Sequence, residues 1–188
     1  MGVGVMNKEY IFALHNQIDG DRIQLRPIQL SDAEDMYEYA SDEETTKYVF
    51  ETHKSLEDTK ENIAKYFLAS PLGKFAIMLK ENEKMIGTID LRVDEKDKKA
   101  EMGYTLNKAY WGKGYTAEAG KLMLQLGFKE LGLQRIFAFH DERNPASGRV
   151  MEKLGMTYEG TFRHNRFVKG ETVTDRIYSI LKEEFFSN

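Results

Sequence analysis

Gly112 and Gly114 flank Lys113 in Trp111-Gly112-Lys113-Gly114-Tyr115-Thr116-Ala117. Two glycines so close let a backbone approach a ligand that side chains would hold off. A helical pattern follows at once, with Ala119, Leu122, Met123 and Leu126 at i, i+3, i+4 and i+7. The start of such a helix offers unpaired amides and the positive end of its dipole, a combination that suits a phosphate. Lys113 would assist, with Lys108 and Lys121 as further cations. The plain alternative is a bare strand-to-helix turn.

Other residues carry chemistry of a different kind. Ser147 follows Asn144-Pro145, so it is either a reactive hydroxyl or a first-turn serine satisfying a local amide. Asn144 is a helix cap, a ligand to a cofactor, or both. Glu101 is a candidate base or a solvated strand-end acid, and His140 and His164 are candidates of the same kind. Gly112, Gly114 and Ala117 also fit a dinucleotide fingerprint, with Asp141 about twenty residues beyond. That fingerprint belongs on the first strand of a parallel sheet, whereas here hairpins precede it. No Gly-x-x-x-x-Gly-Lys-Ser/Thr segment is present.

Composition narrows the classes. The chain has 188 residues, 41% hydrophobic and 31% charged, which fits one ordinary globular domain. The longest apolar run, Phe75-Ala76-Ile77-Met78-Leu79, falls far short of the roughly 20 residues of a membrane helix. With no cysteine, thiolate metal sites and thiol nucleophiles are excluded. A net charge of −4 argues against general nucleic-acid binding. Residues 1–20 lack a sustained period and a secretory pattern, and read as an N-terminal arm before a domain over 21–188. Met6 occupies the position where myristoylation wants Ser or Thr.

The elements that must position these residues can be read from the pattern. Residues 22–26 alternate polar and apolar and end at Pro27, as a first strand does. Ser31-Asp32-Ala33-Glu34 and Ser55-Leu56-Glu57-Asp58 read as capping boxes opening two helices. Residues 74–79, 85–93 and 100–106 are strand-like and separated by short charged loops, which predicts an antiparallel meander. A helix over 115–131 ends at Gly132, a strand covers 135–139, and Asn144-Pro145 opens a helix that stops at Gly155. Strands over 157–166 and 172–181 flank Lys169-Gly170. The class is α/β with a mixed sheet, in which the third meander strand and the 135–139 strand run parallel through a crossover.

Ala100-Glu101-Met102-Gly103-Tyr104, Tyr110-Trp111-Gly112-Lys113-Gly114-Tyr115, Asn144-x-x-Ser147 and Glu152-Lys153-Leu154-Gly155-Met156 occur in an order and spacing that resemble the GCN5-related N-acetyltransferases (GNAT). Within them the chain is similar to the ribosomal-protein N-acetyltransferase (RimJ/RimL-like) group, over nearly its whole length. The resemblance implies acetyl-CoA as donor, with its pyrophosphate on Gly112, Lys113, Gly114, Tyr115 and Thr116, and its pantetheine in a splayed cleft beside the third meander strand. Asn144 and Lys153 are implied to lie near the cofactor. An amide near Leu106 or Asn107 is implied to hold the thioester oxygen, and Ser147 to protonate the CoA sulfur. Trp111 and Thr116 depart from the family's Gln/Arg-x-x-Gly-x-Gly/Ala pattern, and Thr116 sets a β-branched side chain where the phosphate should approach.

Some members of the family place a carboxylate on the strand after the Glu159-Gly160 pair, but Arg163-His164-Asn165-Arg166-Phe167 has none; Glu101 is the alternative, with His140 and His164 as further candidates. A weak base suits an acceptor that is already partly neutral. A terminal α-amine has a pKa of about 7.7–8.0, against about 10.4 for lysine. The expectation is acetylation of a protein N-terminal α-amine, such as that of a ribosomal protein. The alternatives are a small amine (polyamine, amino acid or aminoglycoside) or a non-catalytic acetyl-CoA-binding protein. The chain is expected to be cytoplasmic, with no metal and no nucleic-acid or membrane partner. Tyr48, Phe50, Phe162 and Phe167 are aromatic residues that could wall an acceptor cleft, and homodimers are common in the family.

Overall fold

A computed structural model describes residues 7–187; the myristoylation reading, which concerns residues 1–6, lies outside them. Its elements are α1 (Lys8–Leu14), β1 (Ile18–Asp19), β2 (Ile23–Pro27), α2 (Ala33–Ala40), α3 (Glu43–Thr46) and α4 (Leu56–Asn62). There follow β3 (Lys74–Leu79), β4 (Met85–Asp94), β5 (Lys99–Leu106), α5 (Tyr115–Gln125), β6 (Arg135–Asp141), α6 (Pro145–Lys153), β7 (Thr157–Val168), β8 (Glu171–Leu181) and α7 (Lys182–Ser187). One eight-stranded sheet runs in the order β1-β2-β3-β4-β5-β6-β8-β7. Every pairing is antiparallel except β5 with β6. This is the mixed α/β sheet that the hairpin spacing and the crossover predict.

Strand alternation sends one set of side chains to each face. Ile23, Leu25, Phe75, Ile77, Met102 and Ile136 join Ile11 and Phe12 of α1, Ala119 and Met123 of α5, and Met151 and Leu154 of α6 in the larger core. On the other face Ala76, Met78 and Met85 pack beneath Met36, Tyr39 and Ala40 of α2 and Ile63 at the end of α4. Among the described residues no helix is long and apolar enough to cross a membrane.

One of the two capping readings fails and the other holds. Ser31 does not cap α2; the Asp32 carboxylate accepts from the Gln29 amide and from the Arg26 guanidinium, while the Ser31 hydroxyl donates to Gln29 Oε1. Ser55 does cap α4, accepting from the Asp58 amide at 3.1 Å. The described part of the expected arm is folded onto the domain, because α1 buries Ile11 and Phe12 and β1 extends the sheet edge.

The feature that shapes the site is the brevity of the parallel pairing. β5 and β6 pair only at Lys99 with Arg135, Ala100 with Ile136 and Glu101 with Phe137. Beyond these, residues 102–106 and 138–141 diverge, and a cleft of about 1620 Å³ opens between them.

Candidate active site

The glycine turn stands at the mouth of this cleft. Gly112 and Gly114 have φ of 77° and 85°, the left-handed region in which a Cβ is strained. A Cβ added at Gly112 would meet nothing within 4 Å, so this backbone faces open space. Gly114 caps α5 without a side-chain bond, and the first intrahelical bond runs from the Glu118 amide to the Gly114 carbonyl. The amides of Tyr115, Thr116 and Ala117 therefore have no acceptor inside the helix. An open cradle, outward amides and a helix N-terminus fit a pyrophosphate.

Each residue implied by the resemblance can now be placed. Thr116 is buried at 7% exposure, lines the cleft, and its hydroxyl has no hydrogen bond among the described residues. Lys113 lies 5.2 Å from the Tyr110 ring, while Lys108 is spent on Asp42 and Glu44. Trp111 donates its indole N–H to the Leu106 carbonyl at 2.7 Å, which pins the turn to the end of β5. Asn144 caps α6, its Oδ1 accepting from the Ser147 amide at 3.4 Å. Lys153, the last residue of α6, lines the cleft with no ionic partner among the described residues.

The two candidates for the oxyanion donor separate. Asn107 gives its N–H to the Ile86 carbonyl at 2.8 Å, and its side chain accepts from Ala109 and donates to Glu38. That amide is used and is not available to a thioester. Ladder bonds alternate along an antiparallel strand, so the Leu106 N–H points the other way, towards the gap that β6 has left.

Ser147 carries the partner that sequence reading missed. Its Oγ donates to the Tyr104 hydroxyl at 3.1 Å, and Tyr104 donates to the Ser147 carbonyl at 2.9 Å. Burial pushes the Tyr104 phenol well above its ordinary value, so it remains protonated. Alternation along β5, with Ala100 and Met102 already in the core, is the sequence signal that sets Tyr104 on the same face as α6.

Glu101 lies on the opposite face of β5, at the cleft, with one oxygen accepting from Arg92. Its other oxygen has no hydrogen-bond partner among the described residues. The same guanidinium bonds both Asp90 oxygens at 2.7 Å. Asp90 also accepts from the Tyr66 hydroxyl at 3.0 Å, and its burial raises its carboxyl above the ordinary value. On the far wall Asp141 is paired with Arg143, which also reaches Glu171. His140 is buried beneath Gly148, its Nδ1 2.7 Å from the Asp141 carbonyl and its Nε2 without a hydrogen-bond partner among the described residues. His164 lies on an exposed stretch of β7. Tyr48 and Phe50 line the cleft, whereas Phe162 and Phe167 are exposed on β7 outside it.

The comparisons with known proteins agree with this geometry. Residues 22–157 match the model of the family described as "Acetyltransferase (GNAT) domain". "Uncharacterized N-acetyltransferase p20" of Bacillus licheniformis is 32% identical over 170 residues, 88% of this chain and 96% of its own. A solved acetyltransferase (GNAT family) from Bacillus anthracis superposes with a TM-score of 0.81 at 33% identity, covering 89% of this chain and 99% of that one. More distant is the spermidine N(1)-acetyltransferase of Escherichia coli (strain K12), 24% identical over 79% of this chain and 80% of its own. With a splayed β5–β6 cleft, an amide-lined turn and a family match over most of its length, the chain belongs to the GNAT acetyltransferases and is an N-acetyltransferase.

Proposed function

We propose that this protein transfers the acetyl group of acetyl-CoA to an α-amine, that of a protein N-terminus such as a ribosomal protein's. The observation that carries the donor half is the turn at 112–116, whose free amides open directly into the gap between β5 and β6. When bound there, acetyl-CoA supplies a thioester whose carbonyl carbon is the electrophile.

The chain's own groups then divide the work. The amides of Gly114, Tyr115 and Thr116 hold the pyrophosphate, with Gly112 giving it room and Lys113 and Lys153 supplying positive charge. Asn144 has no acceptor for its NH2 among the described residues and lines the same cleft. The Leu106 N–H donates to the oxygen on which negative charge develops. Glu101 uses its unpartnered oxygen to take the proton of the incoming amine, which frees the nitrogen lone pair. The C–N bond forms and the C–S bond breaks; Ser147 turns its hydroxyl from Tyr104 to protonate the leaving sulfur, and the proton that the acetylated nitrogen sheds returns through solvent to Ser147.

Charge in the cleft supports the acceptor class. Asp90 and Glu101 share Arg92, and Asp141 pairs with Arg143, so the carboxylates at its centre are already engaged by cations and offer a polycation less than free acids would. An α-amine, partly neutral near pH 8, asks less of a base than lysine does. A second reading, a polyamine acceptor, is favoured by Glu51 and Asp58 on the outer wall, which have no ionic partner among the described residues. The spermidine-acetylating relative points the same way. Free-thiol release from acetyl-CoA with a panel of peptides, lysine side chains, spermidine and small amines decides between them. Turnover with peptide α-amines is expected; exclusive use of spermidine supports the second reading, and lysine-only transfer contradicts both.

A further inference from the structure

Arg22, at the entrance to β2, sits against the glycine turn through contacts with residues 91 and 96 positions further along the chain. Its Nε donates to Glu118 Oε2 at 2.8 Å and its Nη1 donates to the Lys113 carbonyl at 2.9 Å. Its guanidinium lies 4.5 Å from the centre of the Tyr115 ring. Its Nη2 has no hydrogen-bond partner among the described residues and lies 3.5 Å from where a Gly114 Cβ would stand. The side chain is 49% exposed, so this free edge of the fork is open to solvent beside the turn.

Glu118 explains why a cation is needed there. It lies in the first turn of α5, where a carboxylate suits the helix dipole but repels a bound anion. Burial pushes its carboxyl up, yet bonds from the Arg22 amide, the Arg22 side chain and the Ile23 amide outweigh this and hold it below its ordinary value. The acid is thus fixed as an anion, and among the described residues Arg22 is its one ionic partner. A planar guanidinium can hold the carboxylate along one edge and the Lys113 carbonyl with another nitrogen while leaving Nη2 for a third acceptor, which a lysine ammonium cannot do in the same geometry.

We propose that Arg22 is a cofactor-binding residue: it locks the 112–115 turn through Lys113, Tyr115 and Glu118, and presents Nη2 to an oxygen of the CoA pyrophosphate. The inference rests on the donor reading above but assigns a residue that reading does not use. Arg22 acts on the phosphate end of the donor only, so a donor without that end is indifferent to it.

The test is calorimetric titration of the full chain with CoA, for the wild type, R22Q and R22K, alongside acetyl transfer from S-acetylpantetheine, which lacks the pyrophosphate. R22Q is expected to weaken CoA binding roughly ten- to hundredfold, the range of a lost charge-assisted bond. R22K should recover only part of that loss. Turnover with S-acetylpantetheine should stay within about twofold of wild type in both variants, showing that the fold and the reacting centre are intact. Unchanged CoA affinity in R22Q overturns the proposal, and so does an equal loss with S-acetylpantetheine, which would make Arg22 merely structural. A wild type that binds no CoA overturns the donor reading itself and this inference with it.

Discussion

Gly103 has no room for a side chain: a Cβ there would stand 2.6 Å from Asp90 Oδ1 and 3.0 Å from both terminal nitrogens of Arg92. The Asp90–Arg92 pair thus lies across the middle of β5, and Arg92 reaches Glu101 from it. Alanine at this position should displace the pair and cost about 1–3 kcal/mol of stability, the range of overpacking; denaturant unfolding of G103A measures it, and an unchanged midpoint would count against this packing. Ser147→Ala removes the proposed proton donor to the sulfur. It should lower kcat about a hundredfold, within the range of general acid catalysis, and leave the KM for acetyl-CoA within about twofold. A kcat near that of wild type would leave Ser147 as the first-turn helix residue that its position also allows. The left-handed turn at Gly112 and Gly114 and the first-turn place of Ser147 were legible in the sequence, because local pattern suffices for both. Arg22 was not, because its partners Lys113 and Glu118 lie 91 and 96 residues away. The Asn107 amide was not, because only the strand register shows that it is spent on Ile86.

At the scale of elements, hairpin loops and helix stops were the clearest signals. The charged loops between β3, β4 and β5, Gly132 just past the π-helical stretch Leu126–Glu130 that continues α5, and Lys169-Gly170 with φ of 50° and 80° all mark boundaries that the structure keeps. Short elements left little trace. α3 is four residues capped by Asp42, and α7 follows β8 without a break, so neither offers enough turns to establish a period. Elements far from the turn are fastened by ion pairs with a testable pH signature. Arg135 on β6 bonds both oxygens of Glu159 on β7, and Ser179 on β8 donates to the same carboxylate at 2.7 Å. These bonds hold Glu159 down from 4.5 to about 2. A carboxyl depressed in the folded state stabilises it fully above the unfolded value, and this contribution fades as pH falls towards the folded value. Stability should therefore drop between about pH 5 and pH 2, and Glu159→Gln should flatten that part of the Tm profile. An identical profile in the variant would show that this pair contributes nothing.

The whole molecule is built on one mixed sheet whose single parallel pairing stops at Glu101 and Phe137. The helices α5 and α6 approach that opening from either side, one bringing amides and the other Asn144, Ser147 and Lys153. Because the opening is continuous from the turn to the Asp90–Arg92–Glu101 cluster, a long donor and an amine can meet within it from different ends. The account therefore turns on whether the 112–116 backbone grips the donor's pyrophosphate. The most direct measurement is calorimetric titration of acetyl-CoA into the wild type and into Gly114→Asp, which sets a side chain and a negative charge on the turn. The account predicts binding at one site per chain in the wild type and its loss in the variant, with thermal unfolding showing that the variant is still folded. Undiminished binding in Gly114→Asp, or none in the wild type, would contradict it.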